Sequence, residues 1–171
     1  DRGVQTKIST ISFIGDKKIR EKRLRDIIAS EENKFWKVLS RNTKFSQNLI
    51  DLDLRLLQNY YKGLGYYDVT INSNSAELNK AGNINLIYSI DAGIRYTINK
   101  IITNVDPTFD NKIFFELEKN YKKLIGDYYS PFKVKNLLEE IDEIIEKNNL
   151  QFVEHNVEEV VDNNSINIKF N

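Results

Sequence analysis

The sequence predicts an α+β protein made of two tandem β-α-α-β-β units, each a three-stranded mixed sheet with two helices on one face. Three observations predict this fold: β-branched runs that alternate with period two, apolar residues at helical spacing, and a repeat of the same element order. Ile8 and Ile11 recur in the second copy as Ile98 and Ile101. The predicted domains are residues 1–93 and 94–171, because Gly93 follows the last strand of the first copy.

The first unit is organised around a long helix. Ile50, Leu54, Leu57 and Tyr61 form an apolar stripe at helical spacing, and Ser46 is a suitable N-cap. Gly65 can adopt the left-handed conformation that ends such a helix. The predicted elements are a strand over 7–14, a helix of about three turns over 19–28, the long helix over 48–64, and strands over 66–78 and 84–91.

The second unit repeats that order with its own start and stop signals. Ser130 and Pro131 provide an N-cap and a proline at the first helical position. Gly126 ends the helix before them, and the polar residues 162–165 make the last turn. The predicted elements are a strand over 96–105, helices over 113–121 and 131–148, and strands over 152–160 and 166–170.

Composition excludes several classes of function. The chain has no Cys, so thiolate metal sites and cysteine nucleophiles are excluded, and no apolar run has the ~18–20 residues that span a membrane. The net charge of zero combines 16 basic and 11 acidic residues in 1–95 with 9 and 14 in 96–171, which indicates two units with different surfaces. Neither value is basic enough to indicate nucleic-acid binding.

These motifs resemble the POTRA (polypeptide-transport-associated) family, in particular consecutive POTRA domains of outer-membrane protein assembly factors of the alphaproteobacterial type. The resemblance rests on Phe13-Ile14-Gly15-Asp16, on Asp53-x3-Leu57-x3-Tyr61-x3-Gly65-Tyr66-x-Asp68, on Asp91-Ala92-Gly93-Ile94-Arg95-Tyr96 and on Gly126-Asp127-Tyr128-Tyr129. It covers nearly the whole chain. The second copy departs from the pattern at Asn149-Leu150, where Gly-Tyr is usual, and Ala92 replaces the usual acid.

The resemblance implies a non-enzymatic periplasmic scaffold of a Gram-negative outer-membrane protein, without cofactors. It implies the sheet order first–third–second, with the second strand of each unit at an edge. Its implied partners are unfolded outer-membrane β-barrel precursors and accessory assembly lipoproteins. Contact with the membrane would come only through a C-terminal barrel outside these residues.

An edge strand offers unpaired N–H and C=O groups to an extended peptide, so the edges are the predicted binding sites. In the first unit these residues are Val69, Thr70, Ile71, Asn72 and Ser73. In the second they are Val153, Glu154, His155, Asn156 and Val157. Phe35 and Trp36 either fill the space beneath the helices or act as interaction anchors.

Other interpretations remain open at this stage. The units could act only as a rigid spacer, or belong to a related transporter such as a two-partner secretion pore. A metal or acid–base site would have to use His155 or the carboxylates Asp51, Asp53 and Asp68, whose spacing is poor for chemistry. We expect Asp53 to lie near the first turn of its helix and to interact with the helix N-terminus.

Two charged helix faces could also bind partners. The basic run at 17–25 could bind anions or lipid headgroups, and the acidic run at 139–146 could dock a basic accessory protein. Solvated helix surface is the simpler interpretation of both runs.

Overall fold

The computed structural model describes residues 6–34, 43–77 and 82–171. The chain divides into two units, one made of Asp1–Tyr61 with Asp68–Gly93 and the other of Lys62–Tyr67 with Ile94–Asn171. Each unit contains one three-stranded sheet.

The first sheet has the order β1-β3-β2, with β1 parallel and β2 antiparallel to the central strand β3. The elements of this unit are β1 (Lys7–Asp16), α1 (Glu21–Ile27), α2 (Gln47–Gly63), β2 (Thr70–Glu77) and β3 (Asn83–Asp91). This order confirms the first–third–second arrangement and leaves β2 at an edge.

The core of the first unit follows the two periods in the sequence. Alternate residues of β3, from Ile84 to Ile90, are buried against the helices. Leu57 and Tyr61 on α2 are fully buried on the facing side. The Ser46 hydroxyl accepts a hydrogen bond from the Leu49 N–H at 3.2 Å, which confirms the predicted N-cap of α2.

The second sheet has the order β4-β6-β5, again with one parallel and one antiparallel pair. Its unit contains β4 (Thr97–Thr103), a 3-10 helix (Asn111–Phe114), α3 (Phe115–Leu124), α4 (Pro131–Lys147), β5 (Val157–Asp162) and β6 (Ser165–Phe170). Ser130 caps α4 by accepting from the Phe132 N–H at 3.3 Å, with Pro131 at the first helical position. The core packs Val134, Leu137 and Ile141 of α4 against the sheet.

Several predicted boundaries are wrong. The edge strands begin later than predicted, β2 at Thr70 rather than 66 and β5 at Val157 rather than 152. In both units the residues after the long helix turn before they pair, and Gly65 and Asn149 have positive φ angles of 103° and 52°. The helix α1 is also shorter than the predicted three turns. The turn predicted at 79–83 lies largely outside the described residues.

No helix in the described part of the chain is both long enough and apolar enough to cross a membrane.

Candidate partner-binding edges

The strand β2 presents an open edge to solvent. It pairs with β3 in an unbroken register from Thr70–Asp91 to Glu77–Ile84. Among the described residues, no hydrogen bond beyond those to β3 involves the main chain of 70–75. This stretch, Thr-Ile-Asn-Ser-Asn-Ser, has no proline, charge or bulge, which are the devices that usually block an exposed strand.

The opposite edge of this sheet, β1, is covered by the chain itself. The Phe45 N–H donates to the Thr6 carbonyl at 3.0 Å, and the Asn33 N–H donates to the Ile8 carbonyl at 2.7 Å. Further along, the Ile11 N–H donates to a Glu32 carboxylate oxygen at 3.1 Å. The segment that joins α1 to α2 therefore occupies part of the β1 edge.

Glu32 is bound by a main-chain group and a cation at the same time. Its carboxylate lies 2.8 Å from the Arg25 guanidinium, which also donates to the Ile11 carbonyl. Burial raises the pKa of Glu32, but the hydrogen bonds from Ile11 and Arg25 and the charges of Arg25 and Lys34 outweigh it and lower that pKa below 4.5. The charged Glu32 carboxylate therefore binds the Ile11 N–H at the β1 edge and pairs with Arg25.

In the second unit the open edge is β5. Among described residues, the main chain of 157–161 has hydrogen bonds only to β6. Unlike β2, this strand carries the acidic residues Glu158, Glu159 and Asp162, and its exposed apolar side chains are Val157, Val160 and Val161. The two open edges therefore differ in charge.

Glu159 points to the helix side of β5, where two phenols bind it. Tyr129 donates to one carboxylate oxygen at 2.7 Å and Tyr67, which belongs to the second unit, donates to the other at 3.1 Å. Burial, and then the hydrogen bond and charge of Glu159, raise the pKa of Tyr129. An inward-facing charge of this kind is one of the features that protect an edge strand against non-specific pairing.

The edge of β4 is covered only at its start. The Gly126 N–H donates to the Ile98 carbonyl and the Ile98 N–H donates to the Asp127 carbonyl, both at 2.8 Å. The Tyr129 main-chain N–H donates to the Tyr96 carbonyl at 2.9 Å. The later part of β4 has no such cover among described residues.

The predicted edge residues of the first unit lie close together. Thr70, Ile71, Asn72 and Ser73 are in β2, and their side chains alternate between the solvent face and the core. Val69 was predicted to be part of the strand, but it precedes it and is only 5% exposed. Its place in the strand is therefore wrong, because the turn after Gly65 extends to residue 69.

In the second unit only one predicted edge residue lies in the strand. Val157 begins β5, whereas Val153, Glu154, His155 and Asn156 precede it. His155 Nε2 lies 2.7 Å from an Asp142 carboxylate oxygen, and the main chain of Asn156 makes two 3.0 Å hydrogen bonds with Asn171. These residues are held by α4 and the chain end, so the edge runs over 157–162 instead.

The carboxylate of Asp53 has a role that the sequence pattern did not indicate. The residue is fully buried in the middle of α2, not in its first turn as predicted. One oxygen accepts from the N–H groups of Ala29 and Ser30 at 2.7 and 3.1 Å, and the other accepts from the Tyr88 hydroxyl. Burial, and then the hydrogen bond and charge of Asp53, raise the pKa of Tyr88. Asp53 thus joins α2, β3 and the segment that covers β1.

Two alternatives from the sequence remain, a metal site and a pair of aromatic interaction anchors. In the described ranges, no group of three or more His, Asp or Glu side chains is placed to hold a metal ion. Phe35 and Trp36, the candidate interaction anchors, lie outside the described residues.

Comparison with known proteins identifies the family. The POTRA family model, described as "Surface antigen variable number repeat", matches residues 6–93, just over half of the chain. The outer membrane protein assembly factor BamA of Neorickettsia risticii is 25% identical over 96 residues, which cover 56% of this chain and 13% of that protein. BamA of Neisseria meningitidis is 25% identical over 142 residues, or 82% of this chain and 18% of that protein. The Neorickettsia match is consistent with the predicted alphaproteobacterial type.

Solved structures share the fold of nearly the whole chain. The crystal structure of Haemophilus influenzae BamA POTRA3-5 aligns with 96% of this chain and 60% of its own, with a TM-score of 0.59 and 15% identity. POTRA1-3 of the periplasmic domain of Omp85 from Anabaena aligns with 97% of this chain and 61% of its own, with a TM-score of 0.57 and 9% identity. Because the family model matches more than half of the chain, this protein belongs to the POTRA family.

Proposed function

We propose that the chain works as two POTRA domains, residues 1–93 and 94–171, in the periplasmic part of an outer-membrane protein assembly factor. The domains bind partners by adding an extended segment to the open edges of β2 and β5. They have no enzymatic role and need no cofactor. The partners are unfolded β-barrel precursors and accessory lipoproteins of the assembly machinery.

One observation carries this proposal: in each described sheet, the second strand lies at an edge without a main-chain partner. The chain covers the β1 edge with Glu32, Asn33 and Phe45, and covers the start of β4 with residues 126–129. Among the described residues, the main chains of 70–75 in β2 and 157–161 in β5 have hydrogen bonds to one neighbouring strand only. Open main-chain groups bind extended chains with little regard to their sequence, which suits a factor that receives many clients.

Of the two edges, β2 fits an unfolded barrel strand better. Its solvent-face side chains Thr70, Asn72 and Asn74 are exposed, neutral and small. A neutral edge repels no client, whereas β5 with its three acidic residues favours basic segments. We expect weak affinity at both edges, because ordering an unfolded segment consumes much of the interaction free energy.

The structure allows a matched test on the two sides of one strand. Asn74 on β2 and Ser12 on β1 both pair with Ile87 of β3, and both side chains are exposed. The chain contains no Cys, so Asn74→Cys and Ser12→Cys each introduce a single thiol. A synthetic peptide with the sequence of an outer-membrane barrel strand, carrying one Cys as an activated disulfide, would report which edge it occupies.

We expect the peptide to react with the Asn74→Cys protein at least about fivefold faster than with the Ser12→Cys protein, after correction for each thiol's reaction with a small disulfide. Equal rates for the Asn74→Cys and Ser12→Cys proteins would contradict strand addition and favour the spacer interpretation.

A further inference from the structure

The two units differ in what covers the edge of their first strand. In the first unit, residues 28–46 join α1 to α2, and part of this segment lies along β1. In the second unit, only residues 125–130 join α3 to α4. The second unit therefore lacks most of the chain that covers the first strand in the first unit.

The correspondence between the units can be made residue by residue. Both first strands have a register shift at the same place, between Ile8 and Thr10 in β1 and between Ile98 and Lys100 in β4. Directly before this shift, the Ile8 carbonyl accepts from Asn33 and the Ile98 carbonyl accepts from Gly126.

The ends of the first helices match as well. The Ile28 N–H donates to the Leu24 carbonyl at the end of α1, and the Ile125 N–H donates to the Tyr121 carbonyl at the end of α3. Arg25 directly follows Leu24, and Lys122 directly follows Tyr121, so a basic residue lies at the same position in each unit.

In the first unit, the carboxylate of Glu32 binds at this position, between β1 and the end of α1. Glu32 accepts from the Ile11 N–H and pairs with Arg25. The residue that corresponds to Ile11 is Ile101, and in the part of the chain that the structure describes its main chain has no partner on this side. Lys122 likewise has no ion-pair partner among the described residues, and no residue corresponds to Glu32.

The region of the second unit that corresponds to the position of Glu32 in the first unit is a groove rather than a flat surface. It lies between β4 and α3, has a volume of about 470 Å³, and is lined by Ile101 and Lys122, with the acidic Glu118 one turn before Lys122 on α3. Three large apolar side chains on its walls are exposed: Ile102 by 37%, Phe115 by 56% and Ile125 by 46%. Exposed apolar residues clustered around free main-chain groups are typical of a binding groove.

We propose that this groove binds a short extended segment of a partner protein that carries a carboxylate. The carboxylate accepts from the Ile101 N–H and pairs with Lys122, as Glu32 does with Ile11 and Arg25. An apolar side chain of the same segment covers Phe115 and Ile125. The occupant is an acidic peptide segment, because the first unit supplies one from its own chain at the corresponding place. This site is separate from the β2 and β5 edges.

The probe is the capped heptapeptide Ile-Ala-Ser-Glu-Glu-Asn-Lys, the sequence of residues 28–34. It is titrated into the ¹⁵N-labelled protein up to several times the roughly millimolar Kd that such a small contact allows. We expect amide shifts centred on Ile101, Lys122 and Ile125. A peptide with Gln at the second Glu should bind about tenfold more weakly, because a charge-assisted hydrogen bond is lost.

The protein itself offers a matched pair of variants. Lys122→Glu should weaken binding about tenfold or more, whereas Lys119→Glu makes the same charge change on an exposed residue of α3 outside the groove and should alter the Kd by less than twofold. Absence of shifts in the groove, shifts confined to β2 or β5, or an equal effect of both variants would overturn the proposal. None of these results would bear on the cysteine cross-linking at Asn74, so the two proposals fail separately.

Discussion

Removal of the Asp53 carboxylate should unfold the first unit at much lower denaturant concentrations. In Asp53→Ala, the N–H groups of Ala29 and Ser30 and the Tyr88 hydroxyl would lose their acceptors inside a fully buried site. Each unpaired buried group costs about 1–3 kcal/mol. Because the segment at 29–30 can move toward water, we expect a total loss of about 3–5 kcal/mol rather than the full sum.

Two variants separate the parts of this loss. Tyr88→Phe removes one hydrogen bond and should cost about 1–2 kcal/mol, and the double variant with Asp53→Ala should show a coupling of similar size. Asp51→Ala is the matched control on the same helix. Asp51 is exposed, and its carboxylate accepts a hydrogen bond from the Gln47 side chain at 2.9 Å, so its loss should stay within about 0.5 kcal/mol.

The assay must follow each unit separately, because two units need not unfold together. Urea unfolding can be read from amide signals of the buried residues Leu86 in the first sheet and Ile168 in the second. We expect the midpoint at Leu86 to fall by about 1.5–5 M urea in Asp53→Ala, which is the expected loss divided by an m-value of about 1–2 kcal/mol/M. A loss below about 1 kcal/mol at Leu86 would refute the role assigned to the Asp53 carboxylate.

Three further predictions test other contacts. In Gly15→Ala the new Cβ would clash with the Ile90 carbonyl oxygen at a φ of +92°, so thermal unfolding should show a loss of about 2–4 kcal/mol. Gly93→Ala, at a φ of +68° with no atom within 4 Å of the new Cβ, should lose only about 1 kcal/mol, and equal losses would contradict the clash. Glu32→Gln should cost about 1 kcal/mol at pH 7. Because the folded pKa of Glu32 is lowered, its contribution to the free energy of unfolding is fully present above pH 4.5 and is lost as the pH falls through that lowered pKa. The difference in denaturant unfolding between Glu32→Gln and the parent protein should therefore shrink steadily as the pH is lowered below 4.5. The folded pKa of Tyr129 is raised, so its contribution to the free energy of unfolding is complete below about pH 10 and is lost at higher pH. Tyr129→Phe should therefore flatten the decline in stability between about pH 10 and 12. An unchanged decline would argue against the bond to Glu159.

Local signals in the sequence predicted most of the fold. The apolar stripe through Leu57 and Tyr61 predicted α2, Ser46 and Ser130 predicted the starts of two helices, and the alternation from Ile84 to Ile90 predicted β3. These features depend on neighbours within a few residues, so a linear pattern contains them. The recurrence of Ile8 and Ile11 as Ile98 and Ile101 also predicted the repeat. The register shift that the two strands share at this place was not predicted.

Contacts between distant residues could not be predicted in this way. The pattern placed Asp53 among helix-surface carboxylates, yet its partners lie at Ala29, Ser30 and Tyr88, which only tertiary packing brings to it. The positions 153–156 were expected in an edge strand, but the bond from His155 to Asp142 holds them beside α4.

The sequence by itself determined which segments become helices and strands and that the unit occurs twice, because period, caps and turn residues act locally. Only the tertiary structure decided which sheet edges are open. That outcome depends on where the connecting segments pass after the sheet has formed. Glu32, Asn33 and Phe45, from the longer connection between α1 and α2, bind the β1 edge, whereas the short connection at 125–130 leaves most of β4 uncovered. A strand contains the same N–H and C=O groups whether it is covered or not, so its own residues cannot report its exposure.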